Sequence, residues 1–253
     1  MNQLEYQTID SSINDKGVRV IALNRPDSLN AMNRTLIDEV SLAFNEANSD
    51  PATRVIIFTG TGRAFCAGDD RREHVHPADK AEAQDLVDAI QRATKSIVMG
   101  AKPIVGAING WAVGGGFEWA INCDFPIWAQ SAKAFFPEVS LNLFVTGAVT
   151  SLLPALVGLN KAREMLFFGD RYSASDLLEM GVAWRVVGDE LLMDEAHRVA
   201  NRLSELPTLS VQAMKCVLNQ VASSNLDLAL DLETEATIAG FLDPETTRRL
   251  KHF

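Results

Sequence analysis

The sequence predicts an α/β fold with a helical C-terminal region, and three observations carry the prediction. Short apolar runs of strand length recur through the first half of the chain. Longer segments of helical periodicity separate them, and from about residue 147 onward the periodicity is mostly helical. Such alternation buries largely parallel strands beneath packed helices.

Val18 to Leu23 is the first expected strand, closed by the turn Asn24-Arg25-Pro26-Asp27. Met32, Leu36, Val40 and Phe44, with Ile37 and Ala47 beside them, then form one apolar stripe at helical spacing. Asn33 is the expected N-cap and Ser49-Asp50-Pro51 the stop. Val55 to Thr59 is a buried strand bounded by Gly60. A second helix covers roughly 81–99, and strands follow at 104–108 and 125–128. Helices are expected at 147–157, 160–168, 175–180, 190–204, 208–223 and 225–241, with a short strand near 182–187. This order places an α/β core at residues 1–195 and a helical region at 196–253, packed on the core or on a neighbouring subunit.

The 253 residues carry 23 Lys+Arg against 33 Asp+Glu, a net charge of −10, and 47% are hydrophobic. That apolar content supports a sizeable packed core. The acidity argues against nucleic acid and anionic membranes as partners, since both need a basic face. Cys66, Cys123 and Cys216 show neither CxxC nor zinc-ligand spacing, which suits a reducing, cytoplasmic setting. The polar start lacks a signal-peptide pattern, and no apolar run approaches the roughly 18 residues of a membrane span. No metal site is expected: His74 and His76 form a lone HxH pair, read as surface residues.

Three stretches hold candidate chemistry. In Ile108-Asn109-Gly110-Trp111-Ala112-Val113-Gly114-Gly115-Gly116-Phe117-Glu118, a strand runs through glycines into a helical segment. The first N–H groups of a helix are unsatisfied and favour an anion or a developing oxyanion. Glu118, one turn along, would stand beside that cradle as a proton acceptor or donor. The competing assignment is glycines that pack a helix on a strand, with Glu118 a solvated first-turn acid. The loop from Gly60 to Arg72 offers small residues that let a backbone N–H face a ligand, and arginines that can meet phosphates. Its Cys66 reads as a small buried thiol rather than a nucleophile. In Phe135-Phe136-Pro137-Glu138-Val139, a carboxylate among apolar residues would have a raised pKa if buried; the alternative is a strand-end Glu facing water.

Taken together these pieces resemble the enoyl-CoA hydratase/isomerase (crotonase) superfamily. Asn24-Arg25-Pro26 with Leu29-Asn30-Ala31 is similar to its NRP-x-x-LNA motif, and Thr59-Gly60 to Gly68-Asp69-Asp70 to its TG-x-G-x-AFCAGxD loop. Lys102-Pro103 to Glu118 is similar to its KP…NG…GGGxE stretch, and Gly169-Asp170-Arg171, Ala174, Leu177 and Gly181 to a later segment. The resemblance spans about residues 18–220. It implies a spiral crotonase-like (ββα) core, a homotrimer or dimer of trimers, and C-terminal helices that complete the coenzyme A sites. It also implies an oxyanion hole from the backbone N–H groups of Asp69 and Gly115. A glutamate pair follows, with Glu138 delivering a proton to Cα and Glu118 positioning the water. Substrate contacts are implied for Ala67, Gly68, Asp70, Gly114 and Trp119, with Arg71 and Arg72 near the nucleotide. Coenzyme A arrives as part of the substrate, so no separate cofactor is expected.

Hydration of an enoyl-CoA is the implied activity. A Δ3,Δ2-enoyl-CoA isomerase relying mainly on the second glutamate is the first alternative, and a non-catalytic or RNA-binding relative the second. Three departures from the family pattern stand out. Phe144 to Thr150 replaces a Pro and glycine-rich segment, Trp119 replaces a small aliphatic residue, and Asp69 stands where a small apolar residue is common.

Overall fold

The computed structural model describes residues 5–222 and 226–252. The chain opens with β1 (Ile9–Ile13) and β2 (Val18–Leu23), then α1 (Arg34–Ser49), capped by the Asn33 side chain on the Leu36 N–H. β3 (Val55–Gly60) and β4 (Ala64–Cys66) lead to α2 (Lys80–Val98), capped by Asp79. β5 (Ile104–Ile108) and β6 (Trp111–Val113) lead to α3 (Gly115–Ile121). β7 (Phe125–Ala129) and β8 (Lys133–Phe135) follow, then a 3-10 turn at Glu138–Leu141. The remainder begins with α4 (Val149–Val157), α5 (Leu159–Phe168), β9 (Tyr172–Ser173) and α6 (Ala174–Glu179). β10 (Arg185–Val187), α7 (Leu192–Ser204), α8 (Thr208–Ala222), α9 (Leu226–Leu242) and α10 (Pro244–Leu250) complete it. Residues 223 and 225 of the expected last helices lie outside the described residues, as do residues 1–4.

Among the described residues the strands form two sheets, ordered β1-β2-β3-β5-β7-β10 and β4-β6-β8-β9. Three successive strand pairs, β3/β4, β5/β6 and β7/β8, each give one strand to each sheet, and this alternation is the spiral. The two sheets are parallel throughout those pairs; β1 on β2 and β9 on β8 are antiparallel. β3 and β5 are buried along their whole length, which is why they read as unbroken apolar runs rather than alternating ones.

The expected strands and helices are present with shifted ends. α4 begins at Val149 rather than 147, because Gly147 and Ala148 adopt left-handed φ of 70° and 57°. α7 crosses the expected 195/196 boundary and buries Leu192, Ala196, Val199 and Ala200 in the same core as the sheets. α9 packs on α2 of its own chain, joining Ile238 and Phe241 to Ala83 and Val87.

The core centres on aromatic rings. Phe58 on β3 is fully buried and meets Phe44, Phe65 and Trp119 at centroid distances of 5.0, 5.1 and 6.0 Å. Phe58→Ala is expected to destabilise the fold by about 3–5 kcal/mol, read as a lower urea midpoint with an unchanged slope.

Candidate active site

β4, β6 and β8 are adjacent parallel strands, so their carboxyl ends open side by side, where ligands bind in sheets of this kind. The chain leaving β4 carries Ala67 to Asp70. The chain leaving β6 carries Gly114, Gly115 and Glu118, and the chain leaving β8 carries Pro137 and Glu138. All but Asp70 line a single cavity of about 330 Å³. Its walls also include Ile37, Ile90, Trp119, Leu143, Phe144 and Phe241.

The Gly115 N–H belongs to the first turn of α3, where no intrahelical acceptor exists. Asp69 pairs with Met32 in a parallel bridge that uses the Gly68 carbonyl and the Asp70 N–H. Asp69's own N–H therefore points away from Met32. α3 lies hard against β4: a β-carbon at Gly116 would collide with the Cys66 carbonyl. Gly116 is needed for that approach.

The loop is clipped from below. Asn30 takes the Arg25 N–H and donates to the Thr61 and Ala64 carbonyls at 3.0 and 2.8 Å. The Arg25 guanidinium pairs with Asp70 at 2.9 Å. Asp70 therefore holds the loop's shape rather than facing the cavity. Arg72 lies off the cavity as well, its N–H bonded to Asp70. Arg71 lines the mouth, joined by Arg171, whose guanidinium lies 5.4 Å from the Phe135 ring and 5.8 Å from Trp111.

Glu118 is 2% exposed, so it is not a solvated first-turn acid. One of its oxygens accepts the Thr146 N–H at 2.8 Å and the other the Thr146 hydroxyl at 2.6 Å. Burial pushes its carboxyl up to about 7, against those two hydrogen bonds, and the charge of Glu233 adds to the rise. Glu138 is buried too, rather than a strand-end acid facing water, and its Oε2 has no partner among the described residues. Burial and then the Glu118 charge hold it well above the ordinary carboxylate range. Two carboxyls facing one apolar cavity, each raised by burial and Glu138 further by the charge of Glu118, can divide the giving and taking of a proton.

Trp119 is 1% exposed and both closes one cavity wall and packs in the core. The Asp69 carboxylate is 38% exposed and leans toward His74, with Oδ2 4.0 Å from Nδ1. The histidines need correction. His74 is packed under the C-terminal helices, its side chain 6% exposed and its ring stacked on Phe241, and His76 bonds the Thr247 hydroxyl at 2.9 Å. Cys66 is fully buried, and burial pushes its thiol up to about 12.

Sequence reasoning assigned no role to Thr146, Arg171, Glu233, Phe241 or Leu250. A carboxylate at the apolar centre of α9 was a usable signal for Glu233, which is fully buried. Thr146 and Arg171 fall inside stretches the motif comparison singled out but carry no signature of their own there, and Phe241 and Leu250 join the site only through tertiary packing.

Fold and site bring a helix start and two buried carboxyls together at one apolar cavity. Residues 14–243 match the family described as enoyl-CoA hydratase/isomerase. A crotonyl-CoA hydratase of Syntrophomonas wolfei is 32% identical over 92% of this chain and 89% of its own. The 1,2-epoxyphenylacetyl-CoA isomerase of Escherichia coli is 34% identical over 87% and 86%. Among solved structures, an enoyl-CoA hydratase/isomerase from Mycobacterium paratuberculosis superposes with a TM-score of 0.91 at 29% identity, covering 99% of this chain and all of that one. The chain belongs to the enoyl-CoA hydratase/isomerase family, within the crotonase superfamily. It is an enzyme of that family.

Because Glu118 takes up its proton more readily when folded, the stability it contributes is present below about 4.5 and lost as pH rises through about 7. Between those values Glu118→Gln is expected to flatten the fall in stability with rising pH, measured by urea unfolding at fixed pH steps. Gly116→Ala is expected to lower stability by about 1–3 kcal/mol through overpacking against β4, read as a fall of several degrees in Tm.

Proposed function

We propose that this chain hydrates the 2,3 double bond of an enoyl-CoA thioester. The observation that carries the reading is that Asp69 and Gly115, whose N–H groups meet no acceptor among the described residues, line the same apolar cavity as two buried carboxyls. The thioester carbonyl accepts from the Asp69 and Gly115 N–H groups, which stabilise the enolate-like charge that develops on its oxygen. Glu118 accepts a proton from water as the water oxygen bonds to Cβ. Glu138, held protonated by its surroundings, gives a proton to Cα, and the product is a 3-hydroxyacyl-CoA. The net change is one water added, with no redox partner and no cofactor beyond the coenzyme A of the substrate.

The apolar wall formed by Ile37, Ile90, Trp119, Phe144 and Phe241 suits the acyl group. Arg71 and Arg171 at the mouth suit the nucleotide phosphates. Their local positive charge serves an anionic substrate despite the acidic total, and that total counts against an RNA-binding role. α8 leaves Met214, Val217, Leu218 and Val221 on one face at 60%, 53%, 56% and 72% exposure. This apolar face supports a homo-oligomer, a trimer or a dimer of trimers. Three free thiols fit a cytoplasmic setting.

One observation favours a second reading. Thr146 engages both oxygens of Glu118, while Glu138 keeps an oxygen with no partner among the described residues. Glu138 alone could then move a proton between Cα and Cγ, which is the Δ3,Δ2-enoyl-CoA isomerase reaction.

Loss of enoyl-thioester absorbance over a panel of enoyl-CoA chain lengths and aryl enoyl-CoAs tests the primary reading. Glu118→Gln and Glu138→Gln are each expected to lose about 10²–10⁴-fold in rate. A Glu118→Gln enzyme with undiminished turnover of 3-enoyl-CoA and no hydration in the parent would establish the isomerase instead. No turnover of any acyl-CoA would reject both.

A further inference from the structure

The segment that departs from the family pattern, residues 144–150, is held from two sides. On one side it grips Glu118 through Thr146. It is also pressed against that side chain, since a β-carbon on Gly147 would lie 2.6 Å from the Glu118 Cβ and 2.8 Å from Oε2. On the other side, Glu233 of α9 accepts the Ala148 N–H at 2.9 Å, the Thr150 N–H at 2.9 Å and the Thr150 hydroxyl at 2.6 Å. Between the two grips the backbone turns left-handed at Gly147 and Ala148. Ala148 is not glycine, so this turn is strained and persists only where its surroundings fix it.

Glu233 does not line the cavity, yet it is fully buried with both oxygens spent on this one turn. A surface cap would serve α4 with less desolvation. We propose that Glu233 and Thr146 are positioning residues, which together fix the orientation of Glu118 and set its affinity for a proton. The turn transmits the effect: Glu233 fixes 148–150, which presents the Thr146 N–H and hydroxyl to the Glu118 carboxyl. The two act with opposite sign. Donors from Thr146 favour the ionised carboxylate, and the charge of Glu233 disfavours it. The other titratable groups facing Glu118 are Glu138 from the turn after β8 and the buried Cys66 thiol from β4. Among the described residues no Lys, Arg or His forms an ion pair with Glu118, so these neighbours set its charge balance.

The role of these residues rests on the proposed chemistry of Glu118, but the test does not need turnover. Infrared titration of the carboxyl stretch, with the Glu118 band assigned by its loss in Glu118→Gln, reads the protonation midpoint directly. Thr146→Val is expected to raise the midpoint by about one pH unit, a tenfold gain in proton affinity, and Thr146→Ser to restore it. Glu233→Gln removes a charge while keeping one acceptor, and is expected to lower the midpoint. If Glu233→Gln does not fold, Glu233→Asp withdraws the carboxylate from the turn and is expected to raise it. Folded Thr146→Val and Glu233 variants that titrate at the wild-type midpoint would overturn the proposal, whatever their loss in Tm. If the enzyme proves active, the acid limb of kcat/KM is expected to move with the same signs. A wild-type protein without turnover would reject the functional reading and leave the midpoint test intact.

Discussion

A cradle built from one helix N–H and one N–H of a neighbouring chain requires the two backbones to lie almost in contact. Here that approach is the packing of Gly116 on the Cys66 carbonyl. Any side chain at 116 would lever α3 away from β4 and part Gly115 from the chain leaving β4. The same contact sets the height of Glu118 above the cavity floor, because it stands on the next residues of α3. Asn30, Arg25 and Asp70 then lock the opposite loop, so the close approach is fixed from both strands.

Around that contact the electrostatic design is one of enforced desolvation. Glu118, Glu138 and Glu233 are all buried, and none forms a salt bridge among the described residues. Each is pushed toward its neutral form by burial. They differ in what their neighbours give back: Glu118 and Glu233 receive hydrogen bonds from the 146–150 turn, whereas Glu138 Oε2 receives none. Similar residues thereby differ in how far hydrogen bonds offset their burial.

The long buried strands β3 and β5 and the amphipathic α1 were legible because burial on both faces, or on one stripe, leaves a periodic trace. β4, β6 and β8 were not: three residues are too few for a period, and two of the three sit beside glycine turns. Yet these strands align the site, so its layout was invisible to periodicity even where its residues were named. Glu118 and Glu138 stood out through their motifs and apolar neighbours. Thr146 and Glu233 did not, since their meaning comes from contacts across 28 and 83 to 85 residues. The histidines were misjudged for a related reason: a polar loop in sequence became a floor once α9 and α10 settled over it.

That separation has a consequence for biosynthesis. The turn at 148–150 leaves the ribosome some 83 to 85 residues before its partner Glu233. At about 5–20 residues per second the interval is roughly 4–17 s. During it the nascent chain holds a nearly finished spiral whose cavity lacks the wall supplied by Phe241 and Leu250. Such an intermediate exposes apolar surface, and its maturation waits on a long-range closure rather than on local folding. The docking of α9 is therefore a late assembly step, and the stage of synthesis at which molecular chaperones have most to shield.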